Sequence, residues 1–106
     1  MENKIIVPSD KTLKKYGLNK KQWLEILHSQ GDVCPICKNF PKTGKFVTDH
    51  FHAQGFSKMS DEKKRKYIRG ITCWFCNHYY LGRGINVEKA ENVVQYLKDF
   101  EKRKND

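Results

Sequence analysis

At 106 residues the chain has room for one domain and no more. Its 21 lysines and arginines outnumber 12 acidic residues, giving a formal charge of +9, and only 38% of it is hydrophobic. So little apolar material leaves a small domain marginal without a staple, and no segment approaches the roughly 18 apolar residues of a membrane span.

The excess positive charge suits a polyanionic partner, nucleic acid first, because neutralising phosphates releases counterions. A lysine-rich surface that merely keeps the protein soluble is the alternative. Met1 to Asp10 contains no run resembling a signal peptide. A cytoplasmic location is therefore expected, where paired cysteines serve as metal ligands rather than disulfides.

In chain order, Asp10 to Tyr16 predicts a short helix capped by Asp10 and ended by Gly17. A second helix begins at Asn19, with Gln22 at the capping-box position and Leu18 stapled on Trp23. Trp23, Leu24 and Leu27 form its apolar face, and Gly31 is its stop. After Cys34-Pro35-Ile36-Cys37 and a turn-rich stretch, Phe46 to Thr48 reads as a strand delivering Asp49 and His50 at its end. Ala53 to Lys66 is hydrophilic and basic, with a helical turn from Ser60, and Tyr67 to Thr72 reads as a second strand. Cys73-Trp74-Phe75-Cys76 leads into a helical stretch ending near Gly82 or Gly84; Trp74 and Phe75 are expected to pack around the zinc, with stacking on bases as the alternative, and Tyr79 and Tyr80 to be packing residues rather than nucleophiles. The last helix, about 87–102, is capped by Asn86 and lines up Ala90, Val93, Val94, Leu97 and Phe100. That face is expected to pack on the domain, with a dimer seam as the alternative.

Cys34 and Cys37 form one C-x2-C pair, Cys73 and Cys76 a second, with 35 residues between them and no other cysteine. Each pair suits one tight knuckle, and two knuckles make the tetrahedral four-thiolate site that Zn2+ accepts readily. Four protein ligands leave no open position, so one structural zinc per chain is expected. Binding energies of order 10–16 kcal/mol make such an ion the missing staple. A redox C-x-x-C pair and an iron site are the competing readings, but a redox pair does not explain why there are two.

Thr48-Asp49-His50-Phe51-His52 lies between the knuckles, and Asn77 directly follows the last cysteine. The carboxylate of Asp49 and the amide oxygen of Asn77 are hard ligands of the kind Mg2+ or Mn2+ prefers. His50, with an ordinary pKa of about 6.5, can take a proton from water at neutral pH. Such a set suffices for in-line phosphodiester hydrolysis. Alternatively, Asp49 and Asn77 are turn or cap residues and the histidines lie idle on the surface.

The ordered run Cys34-x-x-Cys37, Asp49-His50-x-His52, Arg69-Gly70-Ile71, Cys73-x-x-Cys76-Asn77 and Leu81-Gly82 resembles the recombination endonuclease VII family. These are phage-type His-Me finger, or ββα-metal, nucleases related to HNH endonucleases. The resemblance covers roughly Lys20 to Gly82, within a domain core of about 20–84. It implies a small α+β domain, with a ββα-metal core stapled by zinc and flanked by N- and C-terminal helices. It further implies that Asp49 and Asn77 hold Mg2+ or Mn2+, that His50 is the general base, and that His52 serves the scissile phosphate or supports the site. Arg69 matches a family arginine, serving either backbone phosphate or a structural ion pair.

The implied function is a metal-dependent endonuclease on double-stranded DNA, plain or branched, acting as a monomer or homodimer in the bacterial host cytoplasm if phage-encoded. Three features depart from the family pattern. The segment from Ala53 to Tyr67 is longer than usual, and its Lys63, Lys64, Arg65 and Lys66 read either as phosphate contacts or as a solvated charge run. Tyr80 stands where an acidic residue occurs in the family's best-known branch. The chain after Gly84 carries one helix, where relatives have a long dimerisation region. Two other classes remain open: a non-catalytic zinc-ribbon DNA-binding module, and a sequence-specific HNH homing or restriction enzyme.

Overall fold

A computed structural model describes residues 4–82 and 84–104. Among the described residues the chain is small α+β, with one two-stranded antiparallel sheet and five helices. The elements run α1 (Asp10–Lys14), α2 (Lys20–Ser29), β1 (Val47–His50), a 3-10 turn (Phe56–Lys58), α3 (Asp61–Arg65), β2 (Ile68–Thr72), α4 (Trp74–Tyr79) and α5 (Val87–Lys104).

Helix α1 is capped by Ser9 rather than Asp10: the Ser9 hydroxyl accepts the Thr12 amide at 3.2 Å. Asp10 instead occupies the first turn, where its charge faces the positive end of the helix. Helix α2 starts as expected, with a reciprocal capping box. The Asn19 side chain accepts the Gln22 amide at 2.8 Å, and the Gln22 side chain accepts the Asn19 amide at 2.9 Å. Trp23 and Leu27, one turn apart, are fully buried. They join Leu13, Leu18, Phe46 and Ile71 in the core.

Two polar side chains fasten α2 to the sheet. The buried Trp23 indole donates to the Thr48 hydroxyl at 3.1 Å, tying the helix to β1. At the helix end, Gln30 acts as a surrogate peptide for β2: its amide oxygen accepts the Ile71 N–H at 2.8 Å, and its nitrogen donates to the Ile71 carbonyl at 2.7 Å. The free edge of β2 is thus satisfied without a third strand.

The strands pair Val47 with Thr72, Thr48 with Ile71 and Asp49 with Gly70, then shift so that His50 faces Ile68. Arg69 is therefore the extra residue of a bulge on β2, a device that re-aims side chains.

Helix α5 spans the expected region, and the Asn86 side chain accepts the Lys89 amide at 2.8 Å as its cap. The expected packing of its apolar face on the domain is not observed. Every residue of α5 is exposed, including Ala90, and Val93, Val94, Leu97 and Phe100 remain about half accessible. Among the described residues the core cluster is built from α1, α2, the strand pair and the segments beside them, and no α5 residue joins it. Trp74, Phe75, Tyr79 and Tyr80 also depart from expectation, each being more than half exposed. On the short α4 only Cys76 points inward, so the two residues between the knuckle cysteines face outward. Trp74 stacks flat on His78 at 4.7 Å instead.

Candidate active site

The long loop after α2 carries the first cysteine pair, closed where the Lys38 amide donates to the Cys34 carbonyl at 2.8 Å. The second pair opens α4, with Cys73 as N-cap and its sulfur accepting the Cys76 amide at 3.4 Å. All four Sγ atoms lie within 4.8 Å of one another, and those of Cys37 and Cys73 are 3.9 Å apart. Tetrahedral zinc with bonds of about 2.3 Å puts its sulfurs about 3.8 Å apart, so the set could bind zinc. Burial raises the Cys34 thiol, but backbone amides of Cys37, Cys73 and Ile36 outweigh it and bring it down to about 7. Burial pushes the Cys73 and Cys76 thiols up. Four thiols this close need a cation before all can ionise, which is what a bound dication supplies.

The cysteine cluster joins the loop after α2 to the start of α4, and α4 lies against β1. Asp49 lies near the end of β1 and is only 5% exposed. Both of its oxygens are taken by the bulge residue Arg69, with Nε to Oδ2 at 2.7 Å and Nη2 to Oδ1 at 2.9 Å. Nη2 also reaches the Leu81 carbonyl at 3.4 Å. The hydrogen bonds to Asp49 raise the guanidinium pKa above its ordinary value. Asn77 sits on α4, partly buried, and its side chain makes no hydrogen bond to Asp49.

His50 is half-buried at the end of β1. Its ring meets Tyr16 edge-on at 5.4 Å, Phe56 at 4.6 Å and His52 at 4.5 Å. Burial first, then the neighbouring charge of His52, lowers its pKa below the ordinary 6.5, against an opposing pull from Asp49. The shift favours the neutral ring, the form that accepts a proton. His52 is exposed and borders a pocket of about 370 Å³ with Phe51, Arg69, Leu81, Gly82 and Ile85.

The four basic residues of the β1–β2 connection divide. Lys63 and Lys66 face solvent, whereas Lys64 is buried with its ammonium 5.8 Å from the Phe56 ring centre. Arg65 donates to the Gly17 carbonyl at 2.8 Å. Tyr16 and Phe56, which wall His50, carry no sign of that role in the sequence, because each is remote from His50 in pattern as well as in position.

A model of the recombination endonuclease VII family matches residues 9–99. The chain belongs to the recombination endonuclease VII family. That family comprises DNA-cleaving enzymes, including ones that act on branched DNA. The chain is also 28% identical over 88 residues to the Gene 59 protein of Mycobacterium phage D29, covering 81% of this chain and 47% of that one. It is 29% identical over 87 residues to the Gene 59 protein of Mycobacterium phage L5, covering 80% of this chain and 46% of that one. The chain thus spans about half the length of the curated relatives it matches. No solved structure matches it. Among the described residues, no helix is long and apolar enough to cross a membrane.

Proposed function

We propose that this endonuclease VII family chain is itself a metal-dependent DNA endonuclease of the His-Me finger type. In this reading β1, β2 and α4 form the ββα-metal core, and the four cysteines hold one structural zinc. The observation that carries it is the adjacent pair Asp49 and His50 at the end of β1, on the strand against which α4, the helix of Asn77, lies. The surroundings of His50 support the role, since a half-buried imidazole whose neutral form is favoured is a competent general base.

Asp49 and Asn77 would hold Mg2+ or Mn2+, two hard oxygen donors of the right chemistry. When bound, the ion would neutralise charge on the phosphate and on the leaving oxygen. As the water oxygen bonds to phosphorus, His50 takes its proton and the P–O3′ bond breaks; the 3′ oxygen takes a proton from solvent, leaving 5′-phosphate and 3′-hydroxyl ends. His52, exposed beside His50, is suited to holding the scissile phosphate. Arg69 binds Asp49 through both oxygens, so it neutralises that buried carboxylate and competes with the ion for it. The exposed Lys63 and Lys66, with a net charge of +9, supply unspecific grip on double-stranded and branched DNA.

The test is incubation of zinc-loaded protein with supercoiled plasmid, with Mg2+ or Mn2+ and with EDTA, beside His50→Ala. Metal-dependent nicking that drops about 100-fold or more in the variant is the expected result. Plasmid that is bound but never cut would instead make the chain a zinc-ribbon DNA-binding module.

A further inference from the structure

We propose that the pocket beside His50 is a subsite for a nucleotide of the DNA strand adjoining the cut phosphodiester, built jointly by the turn after α1, the end of β1 and the β1–β2 connection. The inference rests on the nuclease reading and assigns the longer connection a purpose.

The connection does not float. Ser60 caps α3 by accepting the Lys63 amide at 3.2 Å. Arg65 then pins α3 to the turn after α1 through the Gly17 carbonyl. The fit there is tight: a Cβ added at Gly17 would lie 2.4 Å from the Asp61 carbonyl oxygen. Lys64, buried behind, supports the Phe56 ring from one side. These contacts set the 3-10 turn at a fixed place, with Phe56 4.6 Å from His50 and Tyr16 across from it at 5.4 Å.

Between them opens a pocket of about 470 Å³ lined by Lys15, Tyr16, His50, Phe56, Ser57 and Lys64. Its size falls within the range of about 300–1,000 Å³ usual for small-molecule sites. A nucleotide presents what this lining matches: an anionic phosphate for the exposed Lys15, hydrogen-bonding oxygens for Ser57, and flat apolar surface for the two aromatic rings. Because His50 is one wall, the nucleotide held there is next to the phosphate being attacked. The subsite binds one strand through backbone and ring faces, so it discriminates little between bases.

Two variants test it without disturbing the core, since both positions are exposed. Ser57→Trp fills the pocket, and Lys15→Ala removes its cation; Lys98→Ala on α5 is the control. Zinc content and thermal unfolding are measured for each. Anisotropy of a fluorescein-labelled duplex gives affinity and salt dependence without added Mg2+, and cleavage with Mg2+ gives kcat and KM. Ser57→Trp is expected to raise Kd and KM about tenfold. Lys15→Ala is expected to weaken binding about threefold to tenfold and to reduce the salt slope by about one. If both variants match wild type and Lys98→Ala in Kd, KM and salt slope while the protein cuts DNA, the subsite is refuted and the nuclease reading stands. A wild-type protein that neither binds nor cuts DNA overturns both.

Discussion

Asp49 illustrates how one side chain can be committed twice. A carboxylate almost out of solvent must be paired, and Arg69 pairs it through both oxygens. Replacing Arg69 with Gln strands the charge, and because the guanidinium is itself one-third exposed, the expected cost is about 1–3 kcal/mol. The same change removes a competing cation beside a proposed metal ligand, so Mn2+ affinity measured by calorimetry should rise as denaturant stability falls. A joint loss of both would mean that Arg69 orients Asp49 for the metal rather than competing with it.

The neighbouring histidines make a second residue-level prediction. His52 lowers the pKa of His50 because its positive charge disfavours a second one 4.5 Å away between ring centres. The proposed base is active when neutral, so the acid limb of kcat/KM in wild type should lie below the ordinary histidine range of about 6.5. Removing that repulsion raises the His50 pKa, so His52→Ala should move the limb to higher pH. An unmoved limb would show that the two rings do not couple.

Among the elements, the α1–α2 turn carries a sharp constraint. Gly17 has φ of +73°, and any Cβ there would strike the Asp61 backbone. Gly17→Ala should therefore destabilise the zinc-loaded protein by more than about 1 kcal/mol in chemical denaturation. What was legible from sequence at this scale was local. The Asn19/Gln22 box, the Trp23 and Leu27 spacing, the Ser60 turn and the two cysteine pairs each declare themselves within a few residues. What was not legible depends on remote partners. Nothing near Gln30 announces that it completes the β2 edge 41 residues away, and nothing near Arg65 points to Gly17. The bulge that turns Arg69 onto Asp49 is likewise a property of pairing, not of either strand alone. Trp74 and Phe75 misled because aromatic residues suggest burial, while the knuckle geometry sends them outward.

At the scale of the whole molecule, the core cluster among the described residues has six buried hydrophobic side chains, which is small, and the four-cysteine cluster joins the loop after α2 to the start of α4. Prolonged treatment with a strong zinc chelator should abolish the native near-ultraviolet circular dichroism, with recovery on adding zinc back. Helix α5 is in the opposite position, since it buries nothing. Deleting residues 87–104 should leave the thermal midpoint of the remaining zinc domain within a few degrees of the full chain, a shift that corresponds to under about 1 kcal/mol.

The two tryptophans sit in contrasting surroundings: Trp23 is sealed in the core with its N–H bound to Thr48, and Trp74 lies open against His78. Their emission should therefore separate, Trp23 blue and Trp74 red. With Trp74→Phe the remaining fluorescence becomes an optical gauge of core integrity, while Trp23→Phe leaves a lamp at the protein surface. One chain thus carries its own pair of colours, one for folding and one for whatever approaches α4.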